Sequence, residues 1–282
     1  MLLDCESKET IRDSLIQIFN IDNKQLESVL INFLSCKGLS LKEVGQKIFN
    51  ELNKRHPRDT NAPLEVKWFH GTCLTPDGKH SIENDGLRTR TQMISKIKGT
   101  LEKLSNGITH SGCKLPDEPV SEKRSQGNEG PFAYLVNLNL TSDNDYDYTT
   151  CYESVRDYAK ETVGENSKEQ LIAEFDKTCT RYDVVFKSDL SIDKLVTNED
   201  YELTELENRV IANAIGVLKF MLIDKNISTS DIYVFESDGI KINSEQILGI
   251  IPTYRETQLL PTTSITISEQ IVSIEVPEKY RE

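Results

Sequence analysis

The feature that most constrains the fold is a histidine–glycine pair set between an apolar segment and a short amphipathic one. Residues 66–69 are mostly apolar and lead into His70 and Gly71, and residues 81–86 are amphipathic and end on Gly86. This order predicts a strand, a loop, a helix and a glycine C-cap. Because glycine has no Cβ, the pair would let one side chain and a bare backbone face the same ligand.

The wider string resembles the histidine motif of the ADP-ribosyltransferase superfamily, in the branch with a His-Tyr-Glu triad. In that motif a strand ends in His-Gly-(Ser/Thr), and a helix carrying Ile is followed by Gly-Leu and often Arg. The positions that fit in order are His70, Gly71, Thr72, Ile82, Gly86, Leu87 and Arg88. The resemblance implies a split β-sheet core and NAD as substrate. It also implies that NAD is bound by His70, Gly71, Thr72 and Arg88.

A second part of the resemblance lies in residues 146–159, where a short strand rich in Tyr and Thr precedes a helix. In the family, one aromatic residue at the strand end and another on the helix sandwich the nicotinamide ring. Tyr148 and Tyr158 fit these places best, with Tyr146 in reserve. Aromatic faces suit this ring because it is cationic, so stacking adds a cation–π term of roughly 0.5–2 kcal/mol. Tyr148 would be the second member of the triad.

The third member in the family is a carboxylate at the start of a late core strand. It would accept a hydrogen bond from the ribose and stabilise the positive charge that develops as nicotinamide leaves. Glu245 directly precedes the apolar residues 246–251, and it resembles the family's Glu one residue before Ile or Val. Asp231 and Glu236 bracket the preceding strand and remain alternatives. They are an odd number of positions apart, so at most one of them can point into the site.

Composition limits the class of protein. The 282 residues allow one large domain or a domain with a smaller attachment, and the formal net charge of −13 argues against a nucleic-acid partner. The six cysteines form no Cys-x-x-Cys pair and show no zinc-finger spacing, which favours reduced thiols and no metal site.

Targeting and membrane signals are weak. Residues 1–9 carry acidic side chains and lack the apolar core of a signal peptide. The most apolar stretch, residues 210–223, is short for a membrane span and contains Lys219. We therefore expect a soluble cytoplasmic protein with no membrane partner. A toxin or effector delivered into another cell by a dedicated secretion system would show the same features.

The segments predict an α+β protein, because strands and helices mix without regular βαβ alternation. We expect an N-terminal helical domain over residues 1–56, a linker over 57–63 and an ADP-ribosyltransferase-like domain over 64–282. Three amphipathic helices fill residues 10–55, and Ser40 with Glu43 has capping-box spacing. Further helices are expected at 92–104 and 203–224, and strands at 132–140, 181–186, 231–236, 239–242, 246–251 and 264–276. Residues 105–130 predict a long exposed loop, either a lid or a segment without a role.

Three functions fit this pattern, since the common nucleotide-binding, serine-hydrolase and zinc-protease motifs are missing from the sequence. The first is a mono-ADP-ribosyltransferase that cleaves NAD and transfers ADP-ribose to a macromolecular acceptor, most simply a protein. The second is a catalytically silent interaction module with the same fold. The third is an RNA 2′-phosphotransferase, which would require Arg88, Arg90, Lys96 and Lys98 to form a basic patch beside His70.

Overall fold

The computed structural model describes residues 1–33, 38–108, 130–141, 155, 159–160, 163–189, 194–195, 203–237 and 239–253. The helices are α1 (Lys8–Phe19), α2 (Asn23–Asn32), α3 (Leu41–Arg55), α4 (Pro76–Asp85), α5 (Arg90–Ser105), α6 (Lys168–Asp176) and α7 (Leu203–Leu222). The strands are β1 (Leu2–Leu3), β2 (Glu65–Leu74), β3 (Phe132–Tyr134), β4 (Thr180–Asp189), β5 (Lys194–Leu195), β6 (Val234–Glu236) and β7 (Ile247–Pro252). The predicted α+β class is confirmed.

The described strands form one sheet in the order β5-β6-β3-β2-β4-β7, and β1 also pairs with β2. Every pairing is antiparallel except that of β1 with β2. The long β2–β4 ladder joins all ten residues of β2, from Glu65 opposite Asp189 to Leu74 opposite Thr180. These two strands are the centre of the sheet, and they hold the histidine–glycine pair.

The edge of β2 away from β4 is only partly covered. β1 pairs there with Glu65 and Val66, and β3 pairs with β2 at Phe69 opposite Tyr134. Within the described strands, no ladder pair on this edge involves residues 70–74 of β2. Among the described strands, the pairing of β2 with β3 therefore ends at Phe69.

The three N-terminal helices, for which the sequence predicts a domain of their own, share one hydrophobic core with the sheet. This core contains residues such as Leu15 of α1, Ile48 of α3, Trp68 of β2 and Ile215 of α7. Helix α7 is buried on nearly all sides after its first turns, so the apolar faces of α1 and α3 cover it. An amphipathic helix is stable only when its apolar stripe has such a partner.

Helices α3 and α7 approach each other closely at two glycines. A Cβ built on Gly45 would lie 2.0 Å from the main-chain oxygen of Ala212, and one built on Gly216 would lie 2.5 Å from the oxygen of Leu41. Only residues without a side chain allow this backbone contact.

The segment 57–63, expected to be a linker, is attached to α7. Arg58 is buried, and its guanidinium pairs with Glu207 at 2.5 Å and donates to Asn208 Oδ1 at 2.9 Å. The prolines and turn formers of the segment give it an irregular backbone, but Arg58 holds it against α7.

Several predicted boundaries change. The strand predicted over 132–140 ends at Tyr134, because Asn137 caps a 3₁₀ turn over Leu138–Leu140. The residues 239–242 contribute only the bridge between Leu87 and Ile242. The predicted strand 264–276 and most of the predicted loop 105–130 lie outside the described residues. Among the described helices, none combines the length and apolarity needed to cross a bilayer.

Candidate functional site

His70 lies on β2 at the point where the described pairing with β3 ends. Its Nδ1 atom is 2.5 Å from the main-chain oxygen of Phe132 on β3. The imidazole therefore reaches from β2 to β3 and bonds a carbonyl that lies two residues from Tyr134, the β3 member of their ladder pair. Strand β2 continues through the histidine–glycine pair to Leu74, where the sequence predicts a loop.

The contact with Phe132 assigns the protonation of the ring. A carbonyl oxygen can only accept, so Nδ1 carries the hydrogen and donates it. Burial lowers the pKa of His70 below its ordinary value of 6.5, against the opposing effect of the Phe132 hydrogen bond. The neutral ring then presents Nε2 as a hydrogen-bond acceptor. Such a ring can receive the hydrogen of a hydroxyl group on a ligand.

Gly71 lies next to His70, where no described strand pairs with the β3-facing edge of β2. Its cross-strand partner on β4 is Asp183, which is 7% exposed. On the other side, continuing the Phe69–Tyr134 register puts Gly71 level with Phe132, and Phe132 is paired with Glu236 on β6. Gly71 thus has a carboxylate residue on either side of it within the sheet. Thr72, the third residue of the motif, is buried.

The segment after β2 forms the predicted helix and glycine cap. Thr75 caps α4 by accepting from Gly78 N–H, and the helix ends at Gly86, whose φ is +83°. A Cβ on Gly86 would lie 1.9 Å from the Ile242 oxygen. Leu87 accepts a hydrogen bond from Ile242 N–H at 2.9 Å. The glycine is therefore required both by its backbone conformation and by the close approach of residue 242.

Glu245 is two residues before β7, which lies on the far side of β4 from β2. It is exposed and belongs to a 3₁₀ turn over Ser244–Gln246, directly before β7. Ile247 of β7 is level with Trp68 of β2 across β4. Strand spacing and rise then set the Cα atoms of Glu245 and His70 about 15 Å apart. The turn that contains Glu245 lies against α4, and the structure does not bring Glu245 to the imidazole.

Glu236 is the better placed of the two alternative carboxylates. It pairs with Phe132, the residue whose carbonyl binds His70. Two strand spacings, about 10 Å, separate its backbone from that of Gly71. Glu236 is half-buried, and its Oε1 atom is fully buried. Asp231 lies three residues before β6, and Asn213 of α7 donates to its carbonyl at 2.8 Å.

The tyrosines of the predicted clamp, Tyr148 and Tyr158, lie outside the described residues, and so does the reserve Tyr146. Their role stays a prediction. Val155 and Ala159, from the same stretch, are buried in a second hydrophobic cluster with α5 and α6. This cluster is separate from the main core and contains Leu101 and Phe175.

The basic residues of the motif are engaged with acidic and polar partners. Arg88 pairs with Asp85 at 2.7 Å, and Lys96 donates to Ser81 Oγ at 3.2 Å. Ser81 also donates to Asp85 at 3.2 Å, so the serine links Lys96 to the carboxylate that pairs with Arg88. The hydrogen bonds of Arg88 and Ser81 lower the pKa of Asp85. Arg88 and Lys96 therefore belong to a surface network that contains the carboxylate of Asp85.

Sequence reasoning did not select Phe132 and Asp183, and it ranked Glu236 below Glu245. Phe132 acts through its carbonyl, which carries no signal of residue type. Asp183 could have been found from strand alternation, because a charged residue in the apolar segment Asp183–Phe186 is unusual. Its pairing with Gly71 depends on a register that a single sequence does not reveal.

Comparison with protein-family models, with curated proteins and with solved structures finds no match to this chain.

Proposed function

We propose that this protein is an NAD-dependent mono-ADP-ribosyltransferase that transfers ADP-ribose to a macromolecular acceptor, a protein in the simplest case. The observation that carries the proposal is the His70–Phe132 contact where the described pairing of β2 with β3 ends. It supplies a neutral, oriented imidazole next to a glycine on an edge of β2 that no other described strand covers. The resemblance of the same residues to the family's histidine motif supports this function.

In this function, His70 and Gly71 hold one end of the dinucleotide. His70 Nε2 accepts a hydrogen bond from a ribose hydroxyl, while the Gly71 backbone meets the carboxamide of nicotinamide. The nicotinamide ring stacks between Tyr148 and Tyr158. An imidazole whose other nitrogen is already fixed loses little freedom on binding, so the ligand meets a preorganised group.

The reaction breaks the bond between the ribose C1′ atom and the nicotinamide nitrogen. The electron pair leaves with nicotinamide, which becomes neutral, and positive charge develops on the ribose. A nucleophilic group of the acceptor then bonds to C1′ and loses its proton. A carboxylate beside the ribose stabilises the developing charge. The register of β6 favours Glu236 for this role over Glu245, because Glu236 pairs with Phe132.

Labelled NAD tests the proposal. The purified chain is incubated with NAD labelled in its ADP-ribose part and with a cell lysate, and transfer to macromolecules is measured. We expect His70→Ala to abolish transfer. His80→Ala is the matched control, because the His80 side chain on α4 is 79% exposed, and we expect it to label like the wild type. Equal labelling by wild type and His70→Ala would overturn the proposal.

The same protein distinguishes an enzyme from a silent module. NAD in large excess over its Kd should raise the melting temperature, since a ligand that binds only the folded state stabilises it by RT ln(1 + [L]/Kd). A thermal shift without transfer would show a site that binds NAD but lacks the chemistry. No shift and no transfer would favour an interaction module.

A further inference from the structure

Lys79 of α4 holds a cation over the face of the sheet that carries His70. Its Nζ atom lies 5.7 Å from the centre of the Tyr182 ring. Tyr182 of β4 is paired with Thr72 of β2, and side chains paired in this way leave the same face of the sheet. Thr72 is two residues after His70 on the same strand, so its side chain and the imidazole also share that face.

The position of α4 explains why this lysine reaches the sheet. Helix α4 begins two residues after the end of β2 and packs against that strand. Lys79 lies in the first turn of the helix, and helical side chains lean towards the helix N-terminus, which here is the end next to β2. Tyr182 is the diagonal neighbour of His70 in the ladder, and such neighbours are about 7–8 Å apart.

We propose that Lys79 binds the diphosphate of NAD. This inference rests on the proposed function, in which His70 bonds a ribose hydroxyl and Gly71 meets the carboxamide. The diphosphate joins the ribose units of the dinucleotide and is anionic, so a chain with a formal net charge of −13 repels it over long distances. A cation on the face of the ribose site supplies the attraction that the chain as a whole lacks.

The ion pair that Lys79 makes is weaker than that of Arg88, the cation that the family resemblance assigns to NAD. Arg88 pairs with Asp85 at 2.7 Å. The Nζ atom of Lys79 is 3.8 Å from Glu83, and the two side chains are 39% and 48% exposed. Exposed pairs of this kind contribute little to stability, so the ammonium turns to a phosphate oxygen at small cost and forms a charge-assisted hydrogen bond.

The test is the binding of NAD to the full chain, with Kd measured by isothermal titration calorimetry. We expect Lys79→Met to raise Kd about 10- to 100-fold, the usual effect of losing a hydrogen bond to a charged group. Lys79→Arg keeps the charge and should stay within about threefold of the wild type. Raising the salt concentration should weaken the binding of NAD less in Lys79→Met than in the wild type, because salt screens the charge that the variant lacks.

Lys187→Met is the matched control. Lys187 is also 39% exposed and also pairs with a glutamate, Glu65, so its loss changes the net charge equally. It is paired with Lys67, an odd number of residues from His70, and its side chain therefore leaves the opposite face of the sheet. We expect this variant to bind NAD as the wild type does.

A Lys79→Met variant with the Kd and salt dependence of the wild type would overturn the inference and leave the proposed function intact. Binding by Lys79→Arg as weak as that by Lys79→Met would also overturn it, because the charge would then not be what NAD recognises. A weakening in Lys187→Met equal to that in Lys79→Met would overturn it as well, because net charge alone would then account for the effect. A wild type that does not bind NAD would overturn the proposed function, and this inference with it.

Discussion

His70 and Phe132 are joined across the gap between β2 and β3, with Nδ1 of the imidazole 2.5 Å from the Phe132 oxygen. The ladder pair of these strands is Phe69 with Tyr134, so the His70 side chain bonds to β3 where the main-chain pairing stops. This contact fixes the orientation of the ring and the position of its hydrogen. It also ties the histidine to β3, and through β3 to Glu236 on β6.

The neutral state of His70 predicts a dependence of stability on pH. Burial lowers the folded-state pKa of His70 below 6.5, so between the two pKa values the unfolded chain binds more protons than the folded chain. The free energy of unfolding therefore rises with pH in this window. The His70 contribution is complete above pH 6.5 and is lost as pH falls through the folded-state pKa.

His70→Asn isolates this contribution, because its amide can still donate to Phe132 but does not titrate. Melting temperatures of both proteins are measured from pH 7.5 to pH 5. We expect the wild type to lose stability relative to the variant as the solution is acidified. Parallel curves over this range would contradict a lowered pKa for His70.

Substitution of Glu236 and substitution of Glu245 should have different effects on ADP-ribose transfer. Glu236→Gln should lower ADP-ribose transfer about 100-fold or more, the usual effect of removing a group that stabilises transition-state charge. Glu245→Gln should leave transfer within about twofold of wild type, because Glu245 is exposed and distant from His70. The rate of nicotinamide release measures both. The reverse result would return Glu245 to the triad.

Much of the local structure follows from sequence signals that act over a few residues. Ser40 and Glu43 form the predicted capping box, with Ser40 N–H donating to Glu43 at 2.8 Å and Glu43 N–H donating to the Ser40 hydroxyl at 3.3 Å. Helix α4 ends at Gly86 as expected, since the φ of +83° there favours glycine. Such signals depend only on neighbours along the chain.

Contacts between distant segments could not be predicted in this way. Strand pairing sets Asp183 beside Gly71 and Glu236 beside Phe132, and these pairings depend on the registers of four strands. The sequence favours Glu245 because this residue lies just before an apolar strand, whereas Glu236 lies at the end of one. The segment 57–63 has the composition of a linker. The contact that holds it could not be read from the sequence, because the partner of Arg58, Glu207, lies 149 residues away.

The α3–α7 contact predicts which glycines tolerate a methyl group. Gly45→Ala should destabilise the protein by about 2–3 kcal/mol or more, because the added Cβ meets the Ala212 carbonyl at 2.0 Å. Gly99→Ala on α5 is the control, since its Cβ would have no atom within 4 Å. We expect it to stabilise by up to about 1 kcal/mol through helix propensity. Urea unfolding compares them, and a Gly45→Ala variant as stable as Gly99→Ala would refute the close approach.

The buried pair of Arg58 and Glu207 predicts a large loss when one partner is removed. Arg58→Met should cost about 3–5 kcal/mol, because Glu207 is then a buried charge without its cation. Adding Glu207→Gln should recover part of the loss, and a double-mutant cycle measures the coupling. Arg55→Met removes the exposed pair with Glu51 and should cost no more than about 1 kcal/mol. Equal losses from Arg58→Met and Arg55→Met would show that burial of the first pair has no consequence.

The central claim is that His70 Nε2 accepts a hydrogen bond from NAD while Nδ1 holds the fold. His70→Asn separates the two, because Asn can replace Nδ1 as a donor to Phe132 but has no atom at the position of Nε2. The decisive measurement is transfer of labelled ADP-ribose by this variant, with its melting temperature measured at pH 7.5. The account predicts a melting temperature close to that of wild type and transfer reduced about 100-fold or more. A folded His70→Asn variant that transfers ADP-ribose at the wild-type rate would contradict it.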